Sequence, residues 1–269
     1  MDEASNRQPT RKQRRELARR RRREEEAAAR RAATRRRRAW VAGCTAVAVL
    51  AGAATALAVA GAGQGHRGNS AGTVAALPLA AAGSLGALKP PAPPGALGPE
   101  RVPVPRAPVL AGTAAAAGGA PVDGIECSIH EQTLFHIHAH LTIDVDGGAR
   151  QVPYGIGIPG ARAEGTPAGP FVTSGECFYW LHTHAADGII HIESPVERQY
   201  TLGNFFDVWG EPLSSRRVGP SRGAVTALYN GRVYEGDPRS VPLTAHAQIQ
   251  LDVGRPPVAP ASIEFPEGL

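Results

Sequence analysis

The chain contains very little methionine, lysine and cysteine. Met1 is the one methionine, which excludes a copper site with a thioether ligand from the folded part of the chain. Only two of the 29 basic residues are lysine. Neither lies in a G-x-x-x-x-G-K-S/T loop, so P-loop nucleotide chemistry is excluded as well. Three cysteines are present.

Positive charge is concentrated in an N-terminal tail. Residues 1–39 contain sixteen Lys/Arg and six Asp/Glu, whereas the remaining 230 residues contain thirteen and eighteen. The overall net charge of +5 therefore comes from the Arg-rich tail, residues 1–38. Because no aromatic platform or base-reading module accompanies the tail, we expect it to contact anionic lipid head groups and expect no nucleic-acid partner.

An uncharged segment follows the tail. Residues 39–63 form a run of 25 residues without a charge, a length that crosses a hydrocarbon core of about 30 Å. We predict a transmembrane signal anchor here. Arginines at 35–38 precede it and few positive charges follow, so the tail is expected in the cytoplasm and the C-terminal domain outside it. Lipidation at Cys44 and cleavage near residues 60–63 are the alternatives.

Beyond the predicted anchor, the composition divides the chain into two regions. Residues 64–122 are mostly Ala, Gly and Pro with few large apolar side chains, which is typical of a linker. Residues 123–269 are richer in branched and aromatic residues. We predict that they form a His-rich extracytoplasmic β domain.

Alternation of apolar and polar side chains predicts strands in this domain. The clearest case is residues 135–145, and Asp146-Gly147 directly after them favours a tight turn. Other strands are expected at residues 178–184, 188–193, 225–229, 232–234 and 248–253. Asn230-Gly231 favours a hairpin turn between two of them.

One segment switches to helical spacing. Residues 201–210 place apolar side chains at i, i+3, i+4 and i+7, with Thr201 positioned to cap and Gly210 positioned to end a short helix. The predicted fold is therefore an all-β ectodomain, either a sandwich or a small barrel, with one short helix and one preceding transmembrane helix.

Histidine is concentrated in this domain. Seven of the nine histidines lie in residues 130–191, and six of these occur in the blocks FHIHAHL (135–141) and WLHTHAADGIIHIES (180–194). Imidazole is a good ligand for zinc, copper and iron ions. If the strands lie side by side, several imidazoles and one carboxylate meet on one face. The predicted metal ligands are His136, His138, His140, His182, His184, His191 and Glu193.

Strand geometry limits this prediction. A step of two residues covers about 6.7 Å, so the three histidines of the first block span roughly 13 Å, and two neighbours hold an ion more easily than three. We interpret His130 and His246 as ordinary histidines. The alternatives without a metal ion are a solvated polar face for the histidines, an arginine partner for Glu193, and a turn-forming role for Asp187.

Cys127 and Cys177 are predicted to form a disulfide, because an exported domain lies in an oxidising compartment. Ligation of a soft metal is the alternative, since Cys177 is five residues from His182. Cys44 lies in the predicted membrane segment, where we expect it only to pack.

One block resembles a known group of sequences. CFYWLHTHAADGIIHIESP (177–195), followed by YTLGNFFDVWG (200–210), resembles uncharacterised bacterial membrane-anchored proteins with the pattern WLHTHD-x-x-G-x-IH-x-E-S-P. The resemblance covers roughly residues 124–269. It implies a shared architecture and no particular activity. The sequence departs from the pattern at Ala185, where the group has aspartate; if that aspartate is a ligand or a base, the site is altered here unless Asp187 replaces it.

Three functional hypotheses follow. The leading one is a binding domain that captures or buffers a transition metal ion, either zinc, copper or iron. The second is a metal-dependent enzyme of unknown substrate, with Glu193 or Asp187 as general base and an open position for water. The third is an envelope scaffold or adhesion domain without a metal ion. No protein partner can be identified from the sequence.

Overall fold

The structure is a computed structural model that describes residues 77–269. The predicted cytoplasmic tail (1–38), the predicted signal anchor (39–63) and the first part of the predicted linker lie outside the described residues. Within residues 77–269, no helix has both the length and the apolar character that crossing a bilayer requires.

Short and medium strands dominate the fold. The strands are β1 (Leu79–Ala81), β2 (Cys127–Ser128), β3 (Phe135–Val145), β4 (Gly148–Arg150), β5 (Arg162–Thr166), β6 (Gly169–Ser174), β7 (Phe178–Tyr179), β8 (Leu181–His182), β9 (Ile189–Ser194), β10 (Tyr200–Thr201), β11 (Leu213–Ser214), β12 (Arg217–Val218), β13 (Ser221–Arg222), β14 (Val225–Tyr229), β15 (Arg232–Tyr234), β16 (Pro242–Leu243) and β17 (Ala247–Val253). One α-helix, α1 (Leu202–Trp209), and two 3₁₀ helices, Ala82–Leu85 and Pro238–Ser240, complete the described part. The expectation of an all-β fold with one short helix is confirmed.

Eight strands form the main sheet. Its order is β1-β15-β14-β17-β3-β9-β8, and β4 forms a hairpin with β3. Neighbouring strands are antiparallel except for β17 and β3, which are parallel. The long strand β3 therefore lies inside the sheet between β17 and β9, where both of its edges are hydrogen-bonded.

The alternation of β3 explains its two faces. Ala139, Leu141 and Ile143 are at most 2% exposed and belong to the hydrophobic core. The intervening polar residues face the opposite side of the sheet. Asp146 and Gly147 both have positive φ values, 51° and 71°, as the tight turn into β4 requires. The predicted strand and turn are confirmed.

The helix α1 has the predicted caps. The Thr201 hydroxyl accepts a hydrogen bond from the Asn204 backbone N–H, and the Asn204 side chain accepts from the Thr201 backbone, which forms a capping box. Gly210 ends the helix in the left-handed conformation. Phe205 and Trp209 are fully buried in the core, so the helix is held by its apolar face.

The structure corrects the predicted linker over residues 77–122. Strand β1 pairs with β15 in the main sheet, and Val102 and Leu110 are buried. The Trp209 indole N–H donates to the carbonyl of Gly112. The segment contains few large apolar residues, and backbone hydrogen bonds to the β domain hold much of it in place. The predicted domain boundary at residue 123 therefore divides a continuous folded unit.

Cys127 and Cys177 form the predicted disulfide, which joins residues 50 positions apart. It lies where β2 pairs with β7. The predicted strand at residues 178–184 is divided, because β7 pairs with β2 whereas β8 pairs with β9 of the main sheet. The exposed hairpin of β5 and β6 was not predicted, since its sequence lacks apolar alternation.

Candidate metal centre

A row of histidines crosses three neighbouring strands. His138 on β3 pairs with His191 on β9, and His191 pairs in turn with His182 on β8. Directly paired residues of a sheet share one face and lie about 5 Å apart, so the three imidazoles stand side by side. In the adjacent row, His136 on β3 pairs with Glu193 on β9.

The first ligand set consists of His136, His138, His191 and Glu193, whose ligand atoms all lie within 4.8 Å of one another. The Nε2 atom of His138 is 3.1 Å from Nε2 of His136 and 3.1 Å from Nδ1 of His191. The Glu193 Oε1 atom is 3.1 Å from His136 Nε2 and 3.4 Å from His191 Nδ1. Four donor atoms thus surround a common centre.

The second ligand set consists of His182, His184 and His191. The Nδ1–H of His182 donates to the Tyr179 carbonyl at 2.8 Å, and the Nδ1–H of His184 donates to the Val172 carbonyl at 2.6 Å. A carbonyl only accepts, and a neutral imidazole has one N–H and one lone pair. Both Nε2 atoms therefore carry lone pairs, and they face each other at 3.0 Å.

The His191 ring is oriented by a buried carboxylate. Its Nε2–H donates to Oε1 of Glu100 at 2.7 Å, which turns Nδ1 towards His138 and Glu193. Carboxylates commonly hold metal-binding histidines in this way. Burial lowers the pKa of His191, but the hydrogen bonds that its ring donates to Glu100 and Glu193 outweigh burial and raise the pKa to about 9. A proton therefore competes with a metal ion for Nδ1.

Three other imidazoles of the two ligand sets have lowered pKa values and therefore favour the neutral state. Burial, with His191 nearby, lowers the pKa of His138 to about 3 and lowers the pKa values of His182 and His184. Burial alone would raise the pKa of Glu193, yet the neighbouring His191 lowers it, so the carboxylate is charged at neutral pH. Neutral imidazoles beside a charged carboxylate are the forms that bind transition metals.

His140, a predicted ligand, does not belong to either ligand set. It lies on the same face of β3 as His138, but its Nε2–H donates to the Asp187 carbonyl at 2.9 Å. The turn at Gly188 closes over the ring so tightly that a Cβ there would lie 3.0 Å from Nε2. His140 therefore anchors the turn that leads into β9.

Asp187 also lies outside both ligand sets. Its Oδ1 accepts the backbone N–H of Ile189, as expected for a residue that turns the chain, and its Oδ2 is buried without a hydrogen-bond partner. Burial and then the charge of Glu100 raise the pKa of Asp187 to about 7. The geometry therefore does not favour Asp187 as a replacement for the aspartate that the similar sequences have at position 185. Ala185, which stands there in this chain, is fully buried.

The other two described histidines lie apart, as expected. His246 is exposed, stacks on Phe265 and contacts the Leu269 carbonyl, and His130 is exposed. Two glutamates of the site were not predicted. Glu100 lies in the segment that resembles a linker, so no local pattern identifies it. The only sequence signal for Glu131 is that it lies four residues before Phe135, the first residue of β3. The Glu131 Oε1 atom is 3.4 Å from His184 Nε2.

Comparisons with known proteins add no assignment. No protein-family model, no curated protein and no solved structure matches this chain. The functional argument therefore depends on the chemistry and geometry of the histidine cluster.

Proposed function

We propose that this protein is anchored in the cell membrane by a single span and uses its extracytoplasmic β domain to bind a transition metal ion. Each of the two ligand sets offers the ligands for such an ion. The observation that carries the proposal is the set of distances between ligand atoms. Neighbouring imidazole nitrogens lie 3.0–3.1 Å apart, and the Glu193 carboxylate lies 3.1–3.4 Å from two of them. A tetrahedral ion with metal–nitrogen bonds of about 2.0–2.1 Å separates its ligand atoms by roughly 3.3 Å.

Electrostatics supports a cation at this position. His182 and His184 direct lone pairs at each other, and their buried rings resist protonation, so no hydrogen bond relieves this repulsion at neutral pH. Unpaired buried polar groups cost about 1–3 kcal/mol each. A metal ion accepts both lone pairs, and the charge of Glu193 offsets part of the ion's own charge.

The donor types favour zinc, copper or iron over magnesium or calcium. Imidazole nitrogen suits the transition metals, whereas magnesium and calcium prefer sites made entirely of oxygen ligands. Thiolate ligation is not supported, because Cys127 and Cys177 are joined to each other. The site is therefore of the nitrogen-rich type with one carboxylate.

The proposed location is supported by two separate features of the chain. The uncharged run at 39–63 follows a strongly basic tail, and the Cys127–Cys177 disulfide is of the kind that persists in oxidising compartments. A C-terminal alkaline phosphatase fusion tests the orientation. We expect an active phosphatase and a non-fluorescent equivalent GFP fusion. Fluorescent GFP with inactive phosphatase would contradict the proposal.

Metal content tests the binding function. Full-length protein is purified in detergent under metal-replete conditions and measured by inductively coupled plasma mass spectrometry. We expect bound metal in the wild type, a loss in His136→Ala/His138→Ala, and no change in His246→Ala, the matched exposed control. A metal-free wild type would favour an envelope scaffold without metal, and equal metal in the cluster variant and the control would contradict metal binding at this cluster.

A second candidate function, metal-dependent catalysis, is favoured by Glu100 and Asp187, each of which has a buried carboxyl oxygen without a hydrogen-bond partner. The pKa of Asp187 is raised to about 7 by burial and by Glu100, a value suited to proton transfer near neutral pH. Catalysis also needs a coordination position open to water. Water-proton relaxation of the Cu²⁺-loaded protein tests this. Rapidly exchanging bound water would support catalysis, and its absence would leave binding alone.

A further inference from the structure

The cluster offers more donor atoms than one transition metal ion takes. Zinc in proteins is most often bound by four ligands. The two ligand sets supply five imidazoles and the Glu193 carboxylate, and Glu131 contacts the second set. Within residues 77–269, no ligand grouping places His136 or His138 together with His182 or His184. One ion at either set therefore leaves good ligands unused.

Glu193 belongs to groupings on both sides of the cluster. It is grouped with His136, His138 and His191, and separately with Glu131 and His182. Its Oε1 atom faces the first ligand set, at 3.1 Å from His136 and 3.4 Å from His191. Its Oε2 atom is buried and has no hydrogen-bond partner, in a side chain that is 5% exposed. A buried carboxylate oxygen without a hydrogen-bond partner is stabilised when it binds a cation.

The second ligand set offers what such a cation needs. The Nε2 lone pairs of His182 and His184 lie 3.0 Å apart, and the Nδ1–H groups are already donated to backbone carbonyls. The Glu131 carboxylate lies 3.4 Å from His184 Nε2 and is 40% exposed. It adds a negative charge and places this side of the cluster next to solvent.

From these contacts we propose that the cluster holds two transition metal ions bridged by the Glu193 carboxylate, an inference that rests on the proposed function. The first ion is bound by His136 Nε2, His138 Nε2, His191 Nδ1 and Glu193 Oε1. The second ion is bound by His182 Nε2, His184 Nε2, Glu131 and Glu193 Oε2. Two-metal protein sites hold their ions about 3.5–4 Å apart, a separation that the two oxygens of one carboxylate can span.

Metal stoichiometry tests the inference. Full-length protein in detergent is stripped with a chelator, loaded with Zn²⁺, passed through a desalting column and analysed for zinc per chain. We expect two zinc ions in the wild type and in His246→Ala. One zinc ion is expected in His136→Ala/His138→Ala and one in His182→Ala/His184→Ala, with circular dichroism confirming that each variant is folded.

The outcomes separate this inference from the proposed function. One zinc ion per wild-type chain overturns the two-ion site and leaves metal binding intact, whereas no zinc overturns both. The wild-type count needs no variant to fold. Electron paramagnetic resonance of the Cu²⁺-loaded wild type then tests the bridge. We expect a spin-coupled spectrum that becomes uncoupled in Glu193→Gln. Two uncoupled ions in the wild type would overturn the bridging role.

Discussion

Metal binding should stabilise the β domain, because the ligands join strands that separate when the sheet unfolds. His138 on β3 and His191 on β9 are paired across the sheet, and His182 on β8 continues the row. An ion that binds these side chains binds only the folded state. His138 is the best perturbation, since its Nε2 atom lies 3.1 Å from both His136 and His191. We therefore predict that His138→Ala removes the metal-dependent stability that the first ligand set supplies.

The expected magnitude follows from linkage. A ligand that binds only the native state adds about 2.7 kcal/mol at a free concentration 100 times its Kd. For a domain of 150–250 residues, 1 kcal/mol shifts Tm by about 2–4 °C. Zinc at that concentration should therefore raise the Tm of the wild type by roughly 5–11 °C. The shift in His138→Ala should be clearly smaller at the same zinc concentration, because the first ligand set loses its central ligand and only the second set stays intact.

Differential scanning calorimetry with zinc and with excess chelator measures both shifts. The chelator arm also reports the cost of the substitution itself, so the difference between the two arms isolates the metal. His246→Ala serves as the control and should shift like the wild type. The reasoning would be refuted by equal zinc-dependent shifts in the wild type and His138→Ala, or by no shift in the wild type.

Three further predictions concern the rest of the domain. Removing the disulfide with Cys127→Ala/Cys177→Ala should lower the free energy of unfolding by about 4 kcal/mol, since the bond closes a loop of some 50 residues; an unchanged urea midpoint would contradict this. Burial and a neighbouring carboxylate on β17 raise the folded-state pKa of Asp144 from its ordinary value of 3.8 to about 6. The stability that protonated Asp144 contributes is fully present below pH 3.8 and is lost as the pH rises through 6. Asp144→Asn should therefore raise the free energy of unfolding by roughly 2 kcal/mol at pH 7. Chemical denaturation between pH 4 and 6 should then depend less on pH in the variant than in the wild type. His140→Ala should leave metal content unchanged but cost about 2–3 kcal/mol, because it leaves the buried Asp187 carbonyl without its donor; a loss of metal in a folded His140→Ala variant would reinstate it as a ligand.

Local patterns predicted the elements that depend on neighbouring residues. Strand β3 ends where its alternation ends, and α1 begins and ends at the predicted caps, Thr201 and Gly210. In both cases a periodic apolar face and its turn or cap residues agree with the tertiary environment. The histidine blocks were recognisable for the same reason, since H-x-H on a strand places two imidazoles on one face.

The assembly of the site depends on register, which no local pattern contains. The pairing of His138 with His191 and of His191 with His182 aligns three strands, and the parallel partner β17 comes from the distant end of the chain. A register shifted by two residues would have paired His140 with His191 of β9. The hydrogen bond between His140 and the turn at Gly188 was not foreseen, because that turn cannot be predicted from β3 alone.

Composition was misleading for the segment that carries Glu100. Residues 77–122 lack the large apolar residues that identify a core, yet they pack on the β domain through backbone hydrogen bonds and a few buried side chains. Their contribution to the site is a single carboxylate that orients His191. A charge in an apparently featureless segment gives no sign of this role until its partner is known.

Anomalous diffraction from crystals grown with Zn²⁺ tests metal binding at the histidine cluster most directly. Data collected on either side of the zinc absorption edge locate each ion independently of the atomic model. We expect density about 2.0–2.1 Å from His138 Nε2 and from the neighbouring nitrogens of the first ligand set. Anomalous density only at exposed histidines such as His246, with none between His138 and His191, would contradict the account.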